Sequence, residues 1–213
     1  MRKLLLATTF LVGSTFGALA EGHSSAYDWT GFYAGVFVGY GSGDTRWFTP
    51  ALTTPTFNMD GWLGGVAVGV NYQIDQFVIG AEADVAFSNI DGLFVPIPCL
   101  TGCITDMEAF GTVRARAGWA IDNVLLYVTG GYAWANISET LIGAGASSST
   151  RSGWAAGGGV DWAFNSDILG GGWFARAEYQ YMDFGGRLAP IVGGINVNAD
   201  DFHTGRIGIF KKF

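Results

Sequence analysis

What most limits the fold of this 213-residue chain is a two-residue alternation in which charges and glycines keep to one parity and large apolar residues keep to the other. In residues 29–41, WTGFYAGVFVGYG, one face carries Phe32, Ala34, Val36, Val38 and Tyr40, and the other carries Gly31, Tyr33, Gly35, Phe37 and Gly39. Residues 77–88 set Phe77, Ile79, Ala81, Ala83, Val85 and Phe87 against Val78, Gly80, Glu82, Asp84, Ala86 and Ser88, so both carboxylates fall on one side. Residues 108–120 separate Ala109, Gly111, Val113, Ala115, Ala117 and Trp119 from Glu108, Thr112, Arg114, Arg116 and Gly118. Segments 61–72, 124–136, 153–164, 173–183 and 203–213 sort in the same way, and Asp161, Arg176, Glu178 and Arg206 join the polar parity. Eight such segments, each about the length of a tilted membrane strand, predict a barrel.

Which parity faces inward decides between two kinds of barrel. A lipocalin-like soluble barrel keeps apolar side chains inside, whereas a membrane barrel turns its polar parity inward and its apolar parity toward lipid. Here the mid-strand charges travel with the glycines, and an eight-strand interior is narrow enough to need glycine beside bulky Arg and Tyr. Only 14% of residues are Asp, Glu, Lys or Arg, against about a quarter in soluble domains, which is too few to cover a water-facing surface. The 34 glycines argue against a helical bundle, and beyond residue 21 glycines and charges interrupt every apolar stretch before it could span a membrane as a helix. The prediction is therefore all-β: an eight-stranded antiparallel up-and-down transmembrane β-barrel over residues 29–213.

The connections agree. Segments 41–60, 89–106, 137–151 and 185–201 are long, while 73–76 and 121–123 are tight, although 165–172 exceeds a tight turn. This is the expected alternation of extracellular loops and periplasmic turns. Trp119, Trp162, Trp173, Tyr72 and Phe213 fall in a periplasmic aromatic girdle, and Tyr40, Trp62, Trp134, Trp154 and Tyr181 in an outer one.

Residues 1–20 begin with Arg2 and Lys3, continue uncharged and apolar, and close on Ala18-Leu19-Ala20, the pattern of a cleaved secretory signal peptide. Residues 21–28 are then a short periplasmic lead-in. Cleavage would leave nine basic residues against eighteen acidic ones, a formal charge of −9. An acidic exported protein offers no basic face to phosphates, so no nucleic-acid partner is expected.

WTGFYAGVFVGYG near the start, TVRARAGWA at 112–120, LLYVTGGYA at 125–133 and ARAEYQYMDFG at 175–185 together resemble the small OmpA-like outer-membrane barrels of alpha-proteobacteria, a porin-like family with hemin-binding members. The resemblance covers nearly all of the chain after the signal segment. It implies an eight-stranded barrel exported through the inner membrane into the outer membrane of a Gram-negative envelope, amid outer-membrane lipid and lipopolysaccharide. It also implies a surface protein that binds envelope or host components. Phe213, with Gly208 five positions earlier, resembles the carboxy-terminal signal read by the barrel-assembly machinery, which makes that machinery an implied partner. Lys211 departs from the signal, where an apolar residue is usual; its long stem could snorkel to the interface.

The inward parity collects Arg114, Arg116, Arg176 and Arg206 against Glu82, Asp84, Glu108, Asp161 and Glu178, nearly balanced in charge. Such groups in a closed lumen need partners, so an ion-pair network that fills the barrel is expected over a selectivity ring. Cys99 and Cys103 share a long loop in an oxidising compartment without a histidine cluster, which favours a small disulfide over a metal site. His203 opens the last strand near Asp183, Asp200 and Asp201, and it or a loop tyrosine could ligate heme iron, as in the hemin-binding relatives. No phosphate loop, dinucleotide fingerprint, nucleophile elbow or zinc helix occurs, so neither a catalytic site nor a metal site is expected. The expected role is structural and surface-interacting. A heme or small-ligand receptor is the alternative, and a small-solute pore ranks behind it.

Overall fold

The computed structural model describes residues 27–49, 52–53, 57–94, 103–141, 145–166, 170–184 and 196–213. The segment predicted as a signal peptide and most of the lead-in lie outside the described residues. Eight long strands follow in order: β1 (Gly31–Thr49), β2 (Phe57–Ile74), β3 (Phe77–Phe94), β4 (Cys103–Ile121), β5 (Val124–Leu141), β6 (Gly145–Ser166), β7 (Gly170–Asp183) and β8 (Asn196–Lys212). Each pairs antiparallel with the next, and β8 pairs with β1 to close the sheet. A two-residue strand, Leu52–Thr53, folds back onto the end of β1. Closure satisfies backbone donors and acceptors within the wall, as a hydrocarbon surrounding requires.

Asp75 and Asp122, at φ of 54° and 53°, form the tight β2–β3 and β4–β5 turns. Aspartate is among the few non-glycine residues that accept this left-handed backbone. The opposite ends differ from the sequence reading. Much of the expected long connections is paired strand, including Gly41–Phe48 opposite Asn196–Thr204 and Ile137–Leu141 opposite Gly145–Ser149. Backbone pairing continues there while the side chains turn to Ser, Thr, Asn and Asp, so hydrophobic alternation ends before the hairpin does.

The parity sorting holds around the wall. Phe32, Trp62, Phe87, Val128 and Ile207 stand exposed on the outer face, and Tyr33, Leu63, Glu82, Thr129 and Arg206 are buried in the lumen. On β2 the exposed Trp62 and Tyr72 are ten residues apart, about 33 Å of strand, which at a tilt of about 40° spans about 25 Å of membrane. The aromatic girdles thus bracket one hydrocarbon thickness.

Glycines leave room for the large inward side chains. A Cβ at Gly65 would lie 2.6 Å from Phe37 Cζ, and one at Gly159 would lie 2.6 Å from Tyr127 Oη. Phe37 and Gly65 are register partners, as are Tyr127 and Gly159. On the outer face Trp134 lies over Gly111 of the neighbouring strand, where a Cβ would approach its ring to 2.7 Å.

Candidate functional site: the ion-paired lumen

Strand register sets the first layer of the site. Glu82 on β3 stands opposite Arg114 on β4, Asp161 on β6 opposite Arg176 on β7, and Glu178 on β7 opposite Arg206 on β8. In the Asp161–Arg176 pair, Arg176 Nε donates to Asp161 Oδ1 at 2.7 Å and Nη2 to Oδ2 at 3.0 Å. Arg206 Nη2 donates to Glu178 Oε1.

Further bonds tie these pairs to one another, most of them across the lumen between strands that are not neighbours. Arg114 is its hub: Nη2 donates to Glu82 Oε1 at 2.6 Å and Asp84 Oδ2 at 3.1 Å, and Nη1 reaches Glu178 Oε1 and Thr129 Oγ1, each at 3.0 Å. Arg176 Nη1 meets Glu82 Oε2 at 2.5 Å, Arg116 Nη2 meets Asp161 Oδ2 at 2.7 Å, and Arg206 Nη1 meets Asp84 Oδ1 at 3.2 Å. Tyr33 donates to Glu82 Oε2 at 2.6 Å, Tyr127 to Glu178 Oε2 at 2.7 Å, and Thr112 to Asp84. Seven of the eight strands contribute a side chain, all but β2.

Four arginines meet four carboxylates, so the cluster is neutral, and none of these side chains is more than 4% exposed. Burial on this scale costs several kcal/mol per charge and is tolerable only because each group has several partners. Aromatic faces help to solvate the cations. The Arg116 guanidinium lies 3.9 Å from the centre of the Tyr127 ring, Arg176 4.3 Å from Phe210 and Arg206 4.8 Å from Phe37. The free space left among Glu82, Asp84, Arg114, Arg176, Glu178 and Arg206 is about 10 Å³, the room of about one water molecule.

Apolar layers enclose the charges. Toward the periplasm, Phe174 stacks on Phe210 with ring centres 5.2 Å apart, and the Trp29 ring lies 5.5 Å from that of Phe174. Toward the outside, Phe110 and Phe202 meet edge to face at 5.9 Å, and Ile90 and Met182 are also fully buried.

Of the nine residues expected in this network, the structure brings Glu82, Asp84, Arg114, Arg116, Asp161, Arg176, Glu178 and Arg206 together and leaves Glu108 out. The pairing shifts by a residue between Met107 and Ala109, which makes Glu108 the bulge position, exposed, while Met107 and Phe110 are buried. Strict period two fails at a bulge. Arg151, assigned to a loop, instead lies buried on the inward face of β6, with the same parity as Gly153 and Ala155. Extending the alternation two residues upstream would have found it. Trp29 extends the inward parity of Gly31 and Tyr33 in the same way, but it sits ahead of β1 and folds into the barrel mouth.

The remaining candidates lie elsewhere. Cys99 falls outside the described residues; the backbone of Cys103 opens β4 opposite Phe94 and Leu141. His203 is on the outer face near the outer girdle, its Nδ1 2.6 Å from Tyr179 Oη and its ring 5.1 Å from that of Tyr181. Gly208 faces the lumen beside Phe37 and Phe210, and Phe213 is exposed with its N–H bonded to Phe32 O at 2.8 Å. Lys211 bends toward the periplasmic rim, donating to Gly171 O and lying 5.2 Å from the Trp173 ring.

Residues 6–209 match the family model described as "Outer membrane protein beta-barrel domain". The chain belongs to this outer-membrane β-barrel family. Relatives include the 31 kDa outer-membrane immunogenic protein of Brucella melitensis biotype 1, 32% identical over 211 residues, covering 88% of this chain and 85% of that protein. The 25 kDa outer-membrane immunogenic protein of the same organism is 33% identical over 192 residues, covering 88% and 80%. The 22 kDa outer membrane protein of Rhizobium leguminosarum bv. viciae is 29% identical over 195 residues, covering 88% and 80%. The barrel is thus an outer-membrane protein of the alpha-proteobacterial type, and its exposed apolar belt is the surface that meets lipid.

Proposed function

We propose that the protein is a structural outer-membrane barrel that meets its surroundings through the connections on its outer side, and that its filled lumen carries no solute. The neutral, mutually ion-paired cluster supports this reading, because the space of about 10 Å³ within it is far smaller than a hydrated ion or sugar needs. The ion pairs hold non-neighbouring strands at fixed separations, so the wall is stiff and the outer ends of the hairpins present their connections on a rigid base. The description of two relatives as outer-membrane immunogenic proteins supports an exposed outer surface here.

The test replaces residues 187–193, between β7 and β8, with a short Gly/Ser segment. The variant is expected to keep the electrophoretic shift between unboiled and boiled samples that marks a folded barrel, while losing most of the binding of a serum raised against intact cells. Loss of the folded band would show that this connection belongs to the scaffold rather than to the presented surface.

A further inference from the structure

Seven of the eight strand seams join neighbours along the chain, and the β1–β8 seam alone joins its two ends. It is the one seam that can open without pulling a hairpin apart, and the one whose formation closes the largest loop. The structure ties its periplasmic end with a segment that belongs to neither strand. Lys212 Nζ donates to the carbonyl oxygens of Asp28 and Thr30, the latter at 3.2 Å. It also lies 3.9 Å from Asp28 Oδ2 and 5.0 Å from the centre of the Tyr27 ring.

The same segment is fastened on the far side of β1. Trp29 N–H donates to Gln73 Oε1 at 2.8 Å, and Gln73 N–H donates to Thr30 Oγ1 at 3.2 Å, which ties the segment to β2. Asp28 Oδ1 accepts from Thr30 N–H at 2.8 Å and shapes the bend. Gly31, at φ +136°, lets the chain leave the strand and enter the mouth, and a Cβ there would lie 2.8 Å from Phe213 O. The bend places the Trp29 indole, 1% exposed, against Phe174 under the charged cluster.

We propose that residues 27–30 are a lock on the β1–β8 seam, engaged by Lys212 only after the barrel has closed and opposing separation of the chain's first and last strands. The two halves of the lock come from opposite ends of the chain, so it has no counterpart in the open sheet. It belongs to the fully closed state and acts on the rate at which that state opens. Docking of Trp29 caps the lumen in the same step.

The test is hydrogen exchange of the full barrel in detergent, comparing β1 and β8 amides with β4 and β5 amides. Lys212→Met is expected to speed seam exchange at least tenfold while leaving β4 and β5 within twofold of wild type. A disulfide between Ala34→Cys and Lys211→Cys, register partners across the seam, should restore slow exchange in that background. Gln73→Ala, which removes the acceptor of the Trp29 N–H and loosens the segment from β2 without touching β8, should give the same pattern and serves if Lys212→Met does not fold. Unchanged seam exchange, acceleration spread equally over all strands, or acceleration that the disulfide leaves in place would overturn the proposal.

Discussion

Replacing Arg114 with leucine removes the guanidinium that bridges Glu82 at 2.6 Å, Glu178 at 3.0 Å and Asp84 at 3.1 Å. The cluster then carries one excess negative charge. None of the three carboxylates is orphaned: Glu82 keeps Arg176, Arg116 and Tyr33, Asp84 keeps Arg206 and Thr112, and Glu178 keeps Arg206 and Tyr127. Breaking a buried ion pair costs about 3–5 kcal/mol, and this redundancy places Arg114→Leu near the lower end, about 3 kcal/mol. Adding Glu82→Gln brings the charge back to neutral and should recover part of the loss, so the double variant is less destabilised than the sum of the single ones. Urea unfolding in detergent, followed by tryptophan fluorescence and by the fraction of heat-modifiable band, measures both. Glu108→Ala is the matched control, a carboxylate at the exposed bulge, and should cost less than about 1 kcal/mol. If Arg114→Leu changes stability by no more than the Glu108 control, the guanidinium is not a member of a closed, desolvated network.

Gly159→Ala should destabilise the barrel by about 1–3 kcal/mol, because the new Cβ would meet Tyr127 Oη and Ala177 O, each at 2.6 Å. Gly130→Ala, on the outer face with Ala155 O at 3.8 Å, should stay within about 0.5 kcal/mol of wild type in the same urea series. Val68→Arg, midway between the girdles on the outer face, should cost about 2–4 kcal/mol in lipid bilayers and much less at the level of Tyr72; equal costs at both depths would refute the membrane placement. Burial alone would raise the Asp28 carboxyl, but the Thr30 N–H and hydroxyl and the Lys212 ammonium outweigh it and hold the group below the usual carboxylate range. The stability this adds is full above the unfolded pKa of about 4 and disappears as pH falls through the lower folded value, so seam exchange should quicken in that acid window in wild type but not in Asp28→Asn. Hemin coordinated by His203 would use Nε2, since Nδ1 meets Tyr179, and its Soret shift would vanish in His203→Ala; a shift that survives removes this residue as the ligand.

The strand core of the fold was legible because parity is a local property. A glance along 77–88 or 112–119 separates lipid-facing from lumen-facing residues, and the charges of Glu82, Asp84, Arg114 and Arg116 name the inside. What parity cannot show is where it breaks. The bulge that expels Glu108 leaves no compositional trace, since its neighbours Met107 and Ala109 suit either side. Nor does alternation report how far hairpins rise beyond the membrane, where pairing persists without a hydrophobic face, and so it places Arg151 in a loop. Register-opposed pairs such as Asp161 and Arg176 follow from hairpin geometry, but the bonds from Arg114 to Glu178 and from Arg176 to Glu82 depend on the shape of the closed lumen. The role of Lys212 is equally invisible in one dimension, because its partners Asp28 and Thr30 lie at the other end of the chain.

In the proposed function the inward charges of the cluster satisfy one another and no solute crosses the lumen. Single-channel recording of the purified barrel in a planar bilayer tests it most directly. A filled lumen predicts no stable conductance steps in wild type at moderate voltage over hours of recording. Regular, long-lived steps from correctly folded wild-type protein, abolished when the protein is unfolded before addition, would contradict the account and establish an open path past Arg114 and its carboxylates.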